Sequence, residues 1–371
     1  MKRFAIGALF LAISAALGWS QQIMQEPYWY TMERGKQHFQ NGAYGDALLA
    51  FEEARYQRRM EYAKMEQDMI ALLSMPEVRY FGDSLMLIEL YIADRHQINA
   101  AQALEELYYR VPRAEIGGSA RRALEYLDQL KSYPEAEYWI GETYRSEGEL
   151  GIALGQYQKA YDLRSLLATP GFEVEILYRI ADIHRVRQEY SEMERVLEEI
   201  LAQDPLWSAG ANSFVRLGMS RSLENEGIAR FLTLYRHNNP LSLRAHELLG
   251  YFYFASGRHS RAAEHLMFVF LIQNSILISE LINKQYDYTF VNLNALLQDI
   301  QRYPALSEYV QQGDYYKTMY YLGAAYYDSG KTNLARDFWT VLNGRAEAGE
   351  WRIRAQNQLR NPFIEEIIEM P

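Results

Sequence analysis

Several residue groups in this chain have the types needed for chemistry, and each lacks a partner that its chemistry requires. Ser329-Gly330-Lys331-Thr332 has the end of a phosphate-cradling loop. That loop needs a glycine five residues before its Gly-Lys and a preceding strand, and here Ala325 stands in a helical stretch. His246-Glu247 opens like a zinc-protease motif, yet Gly250 occupies the place of the second histidine ligand. His259 and His265 are six apart, which puts them on different sides of a helix. The acidic pairs Glu52-Glu53, Glu198-Glu199 and Glu365-Glu366 are adjacent in sequence, so on a helix they do not face one another. No Ser–His–Asp set, glycine-rich nucleotide fingerprint or nucleophile elbow stands out. The chain has no cysteine, which removes disulfides, Cys-ligated zinc, iron–sulfur clusters, thiol catalysis and a lipid-modified terminal cysteine. The expectation is a protein with no metal, no cofactor and no enzymatic activity.

What remains is a surface, and the elements that carry it. The 371 residues are 49% apolar and 23% charged, a composition that forms a core. With 38 Lys+Arg against 48 Asp+Glu, the net charge of −10 lacks the basic footprint of a nucleic-acid binder. Lys2 and Arg3 precede an apolar run from Phe4 to Leu17, then Gly18, Trp19 and Ser20. This is the layout of a signal peptide cleaved near Ser20, and it predicts an exported, periplasmic protein. Removing residues 1–20 takes away two positive charges and no acid, leaving −12. A retained N-terminal anchor is the alternative. The most apolar later stretch, Phe268 to Ile282, is broken by Gln273, Asn274, Ser275 and Glu280, so no membrane span is expected in the mature chain.

Proline marks time along the chain. Pro134, Pro170, Pro205 and Pro240 are 36, 35 and 35 residues apart, and Pro76 and Pro112 are 36 apart. Proline collects at helix boundaries, so an even spacing predicts a helical repeat of about 35 residues. Inside that period four stretches share a pattern. Each has a first glycine (Gly35, Gly141, Gly250, Gly323), a second glycine (Gly42, Gly148, Gly257, Gly330) and an alanine (Ala47, Ala153, Ala262, Ala335). Four residues after the alanine comes a bulky residue (Phe51, Tyr157, Leu266, Trp339). The first glycine is expected to let two helices approach, and the second to end a helix in a left-handed cap. The bulky residue is expected to fill the gap toward the next repeat. Two looser units follow the period, Leu177 to Pro205 with Ala181 and Met193, and Ala211 to Pro240 with Leu217-Gly218 and a shortened turn.

These residues resemble the tetratricopeptide repeat, a 34-residue helix–turn–helix unit, in an exported bacterial form. The resemblance covers 30–57, 134–269 and 316–343. It implies an all-α fold, a right-handed superhelical solenoid of helical hairpins. The expected divisions are a signal peptide over 1–20, an N-terminal unit with a long helix and degenerate repeats over 21–133, and a regular array over 134–269. An irregular helical insertion or degenerate repeat over 270–315 and a C-terminal repeat with a capping helix over 316–371 complete the chain. Helices are also predicted over 85–95, 100–110 and 119–131.

In this family a concave groove is lined by fixed positions of each first helix. The resemblance places there Tyr138, Glu142 and Arg145; Tyr178, Asp182 and Arg185; Glu247, Tyr251 and Phe254; and Tyr320 and Tyr327. The family's carboxylate clamp of Lys and Asn is missing: positions matching it hold residues such as Met32, Tyr138, Glu142, Val215 and Met219. Tyrosine and arginine are enriched where binding energy concentrates, and the chain has 30 tyrosines. The opposing expectation is that these rings pack between neighbouring helices and leave only hydroxyls in water. The leading functional expectation is a periplasmic scaffold whose aromatic-rich groove binds a protein or peptide partner of the cell envelope. The alternatives are a ligand-binding accessory subunit of an envelope transport system, which an enclosed apolar pocket near 250–330 would favour, and, more remotely, an enzyme.

Overall fold

Helix ends in this chain are set by proline and by left-handed turns. The computed structural model describes residues 26–73, 120–208 and 212–365, and no strand occurs among them. The expected signal segment, Pro76, Pro112 and the helices predicted over 85–95 and 100–110 lie outside the described residues. Two compact units divide between Ile183 and His184, inside the expected 134–269 array.

In the first unit, α1 (Tyr28–Gln40) and α2 (Tyr44–Leu73) form a hairpin whose second helix runs well past Ala54. Helix α3 (Ala120–Leu130) packs on α2, and so does α4 (Pro134–Ser146), which begins with proline at its first turn. Helix α4 pairs with α5 (Leu150–Asp162), and α6 (Phe172–Val186) follows Pro170. The core joins Met32, Ala47, Phe51 and Ala54 to Tyr133, Ala136 and Ile140. One charge sits inside it. Arg58 is buried, donates to the Leu130 carbonyl at 2.9 Å, and lies 4.5, 5.5 and 5.6 Å from the rings of Tyr133, Tyr28 and Tyr62. The guanidinium thus satisfies an orphan carbonyl at the end of α3 while three aromatic faces stand in for water.

The second unit contains α7 (Tyr190–Leu201) and α8 (Asn212–Leu234), then the hairpin of α9 (Pro240–Ala255) and α10 (His259–Lys284). After these come α11 (Leu293–Ile300) and α12 (Pro304–Gln312), the hairpin of α13 (Tyr315–Asp328) and α14 (Thr332–Asn343), and α15 (Glu350–Arg360) against α13 and α14. Helix α10 is the centre of this unit, packed by α8, α9 and α13. It is also the helix among the described residues long and apolar enough to cross a membrane, and most of that stretch is buried within the protein. Its polar interruption has assigned work. Gln273 donates to the Gly313 carbonyl at 3.0 Å, and Asn274 donates to the Phe270 carbonyl at 2.7 Å and accepts from the Tyr315 hydroxyl at 2.9 Å. Ser275 accepts from the His237 N–H at 2.9 Å. These three side chains fasten surrounding segments to a core helix, where an unmade bond would be costly.

The hairpins share one construction. Gly42, Gly148, Gly257 and Gly330 have φ between 70° and 86°, and each turn closes with paired backbone bonds, such as Gly148 N–H to Arg145 O and Glu149 N–H to Tyr144 O. Gln188, between α6 and α7, makes the same turn at φ 59° without being glycine. The first glycines lie at close crossings. A Cβ on Gly35 would stand 2.6 Å from Phe51, on Gly141 2.8 Å from Tyr157, on Gly250 2.8 Å from Leu266 and on Gly323 2.7 Å from Trp339. The bulky residue therefore covers the glycine of its own hairpin instead of serving only the gap to the next; Phe51 does both, stacking 5.9 Å from Trp139 of α4. Gly218 departs from the pattern, because its nearest neighbour would be the Tyr235 hydroxyl at 3.8 Å. The shortened turn expected after it is not found: the break falls at Gly227 (φ 80°, ψ 174°), nine residues on against seven in the four glycine hairpins, and interrupts α8.

Candidate functional site

On α4, residues 138, 142 and 145 recur at helical spacing and lie on one face. At its centre is Glu142, a buried carboxylate. It accepts from the Tyr157 hydroxyl at 2.5 Å and from Arg145 at 2.9 Å, and Arg179 lies 2.8 Å away. Arg179 also pairs with Glu175 at 2.9 Å and donates to the Tyr138 hydroxyl at 3.3 Å. The Tyr138 ring is enclosed by Trp139, Tyr157 and Phe172, and burial, with Glu142 second, pushes its hydroxyl up to about 12. This is a neutral tyrosine over a fully paired carboxylate, and Arg145 and Glu175 are the charges of the cluster that reach furthest into solvent, each with more than a third of its side chain exposed. On α6, Tyr178 is buried and Asp182 half-buried.

In the second unit Arg185 and Glu247 are half-buried, while Tyr251, Phe254 and Tyr320 are buried. Tyr251 meets Tyr321 edge-on and its hydroxyl lies 3.3 Å from that of Thr318. Phe254 packs on Tyr321 and His259. Tyr320 packs on Trp351, and Tyr327 is half-buried. Burial pushes the Glu247 carboxyl up to about 7, with Asp314 adding to the shift and Lys317 opposing it. The rings assigned to the groove are thus shared between neighbouring helices: large apolar faces gain more from that contact than from facing water. What these positions leave at the surface is charge and hydroxyl, from Arg145, Asp182, Arg185, Glu247 and Tyr327.

A second cluster has no counterpart in the sequence reading. His246 of α9 and His265 of α10 bring their Nδ1 atoms to 3.1 Å, so one ring donates to the other. Both are fully buried beside Trp207, whose ring lies 4.7 and 4.5 Å away. Burial holds both neutral, His246 down to about 3 and His265 well below its usual value. His265 lines an open cleft of about 350 Å³ with Trp207, Arg216, Tyr253, Glu198 and Arg261. Arg216 stacks on Trp207 at 4.5 Å and donates to its carbonyl at 2.7 Å, and Tyr253 donates to Glu194 at 2.7 Å. Among the described residues no group of three or more His, Asp or Glu side chains is arranged to hold a metal. The signal for this pair was present: the register that sets Leu266 over Gly250 also brings the residue before Leu266 toward the turn of α9 before Gly250.

No family model matches the chain. It is 25% identical over 344 residues, 92% of this chain and 91% of the other, to a protein of Treponema pallidum (strain Nichols) described as uncharacterized. It is 23% identical over 260 residues, 62% of this chain and 78% of the other, to a protein of Borreliella burgdorferi (strain ATCC 35210 / DSM 4680 / CIP 102532 / B31) described in the same words.

Proposed function

We propose that this chain is an exported, periplasmic, non-catalytic scaffold, a solenoid of tetratricopeptide-like hairpins that binds a protein or peptide partner of the cell envelope. The observation that carries the proposal is the repeated hairpin. The same glycine contact and left-handed turn recur at four places, so the first helices share one register, although the residues at their equivalent positions differ: Tyr138, Glu142 and Arg145 on α4, Glu247 and Tyr251 on α9, Tyr320 and Tyr327 on α13. Such a surface suits a polypeptide, which offers carboxylates, guanidinium-stacking groups and backbone bonds along its length.

The nature of the clefts supports a scaffold over a small-molecule carrier. An apolar ligand needs an enclosed, mostly apolar pocket. The cleft between residues 216 and 331 is open, about 250 Å³, and lined by Arg216, Ser220, Ser260, Glu264, Ser329 and Lys331 among others. Its charges are already paired, Arg216 with Glu264 at 3.4 Å and Lys331 with Glu224. A photo-crosslinking amino acid at Asp182 or Arg185 in the native host tests the proposal. It should trap a defined envelope protein that the same group at Glu192 does not trap. Identical products from all three positions would remove the groove from the account.

A further inference from the structure

After α15 the chain turns back and lies along its own last hairpin. Residues 361–365 are non-helical and rest on α13 and α15, and the way they are held differs from ordinary core packing. Gln358 is fully buried; it accepts from the Phe363 N–H at 2.9 Å and donates to the Phe363 carbonyl at 3.1 Å. That two-way pairing is one rung of a strand ladder supplied by a side chain. Two residues on, the Glu365 carboxylate accepts from the Tyr320 hydroxyl at 2.7 Å and from Gln358 at 3.3 Å, with Arg354 at 3.5 Å. The Tyr327 hydroxyl reaches the Pro362 carbonyl at 3.5 Å. Phe363 and Ile364, the apolar residues of the segment, remain 47% and 60% exposed.

The asymmetry is informative. A terminal segment that merely completed a core would bury Phe363 and Ile364, because apolar burial is the main gain available to it. Here the apolar side chains face solvent while the polar receptor groups, Gln358 and Tyr320, are buried. Gln358 Oε1 accepts from Phe363, and buried polar groups are expensive to leave unpaired. We infer that the α13–α15 surface is a recognition site for an extended segment of a partner protein carrying a carboxylate two residues after the residue that pairs with Gln358, and that residues 361–365 occupy it in cis. The site reads the backbone and the acid and leaves the intervening side chains unspecified. Tyr320 and Tyr327, which the family resemblance places in a groove, are the hydroxyl donors of this site. A cis occupant held by a few polar bonds raises the concentration a competing segment must reach, so the tail sets a threshold for the partner. The inference deepens the scaffold proposal and rests on it.

The test uses a fluorescent peptide with the sequence of residues 360–367, its binding read by anisotropy. A chain ending at Arg360 should bind it at least about tenfold more tightly than the intact chain. A peptide with Glu365→Ala should lose about tenfold or more, whereas one with Phe363→Ala should bind nearly as well. Absence of saturable binding to a truncated chain of unchanged helical content would overturn the inference, as would indifference to Glu365→Ala. If truncation unfolds the chain, the full-length Glu365→Ala variant takes its place, with tighter peptide binding than the unaltered chain expected and equal binding contradicting the site. A tail-dependent dimer in sedimentation would place the segment in trans and overturn the cis assignment. Peptide binding that fails while crosslinking at Asp182 and Arg185 persists sinks this site alone and leaves the scaffold proposal standing.

Discussion

At the scale of single residues, two positions carry a cost that substitution should remove. Gln188 holds φ 59°, where the equivalent positions of other hairpins have glycine. A side chain in the left-handed region is strained, so Gln188→Gly should stabilise the protein by up to about 1 kcal/mol, read as a rise in melting temperature. The gain is limited because glycine adds entropy to the unfolded chain. Glu247 is the second position. Its folded carboxyl titrates about pH 7 against an ordinary 4.5, so the folded state holds the proton more tightly. That contribution is full below the unfolded value and is lost as pH rises through 7. Glu247→Gln should therefore raise stability at pH 8 by about 1–2 kcal/mol and change little at pH 5, in paired urea titrations. His246 and His265 act with the opposite sign: neutral when folded, they cost stability as pH falls below 6.5. Only the difference between variant and parent isolates Glu247.

At the scale of elements, the hairpin glycines make opposite predictions from one substitution. Gly155 lies on the exposed face of α5 with open space at its Cβ, so Gly155→Ala should gain about 0.5–1 kcal/mol from helix propensity. At Gly141 the same change meets Tyr157 at 2.8 Å, and Tyr157 is pinned at its other end by its bond to Glu142. Gly141→Ala should lower the melting temperature, and Gly141→Leu should cost at least about 1–3 kcal/mol. Thermal unfolding of the three variants checks the register. If Gly141→Ala stabilised as Gly155→Ala does, the close crossing of α4 and α5 would be wrong. This level was the most legible in the sequence, since glycine and proline punctuate by sterics that act over a few residues. Gln188 was not legible as a turn residue, because its identity gives no hint of the left-handed conformation that its neighbours impose. In the sequence the polar break in α10 argues only against membrane insertion; its positive role, tying Gly313, Tyr315 and His237 to the core, depends on segments about 40 residues away.

At the scale of the molecule, the groove was less legible than the helices. Helical register fixes which residues of α4, α6, α9 and α13 share a face, yet whether that face meets water depends on the helix or segment laid over it. Tyr138 disappears beneath Phe172, Tyr251 beneath Tyr321, and Tyr320 beneath Trp351 and the chain's own tail. Glu142 is buried because it is fully paired, whereas the other charged members keep some exposure since burying an ion unpaired is too costly, so Arg145 and Arg185 are the better probes of the proposed partner surface. Arg145→Glu leaves Glu142 its contacts with Arg179 and Tyr157. The most direct measurement of the central claim is quantitative affinity isolation of the native protein from fractionated host cells, comparing the parent with Arg145→Glu/Arg185→Glu at matched helical content. The scaffold account predicts a main partner recovered with a mature parent chain that begins near Gln21, and recovered at least about tenfold less with the double variant. Equal recovery by both folded proteins would contradict it.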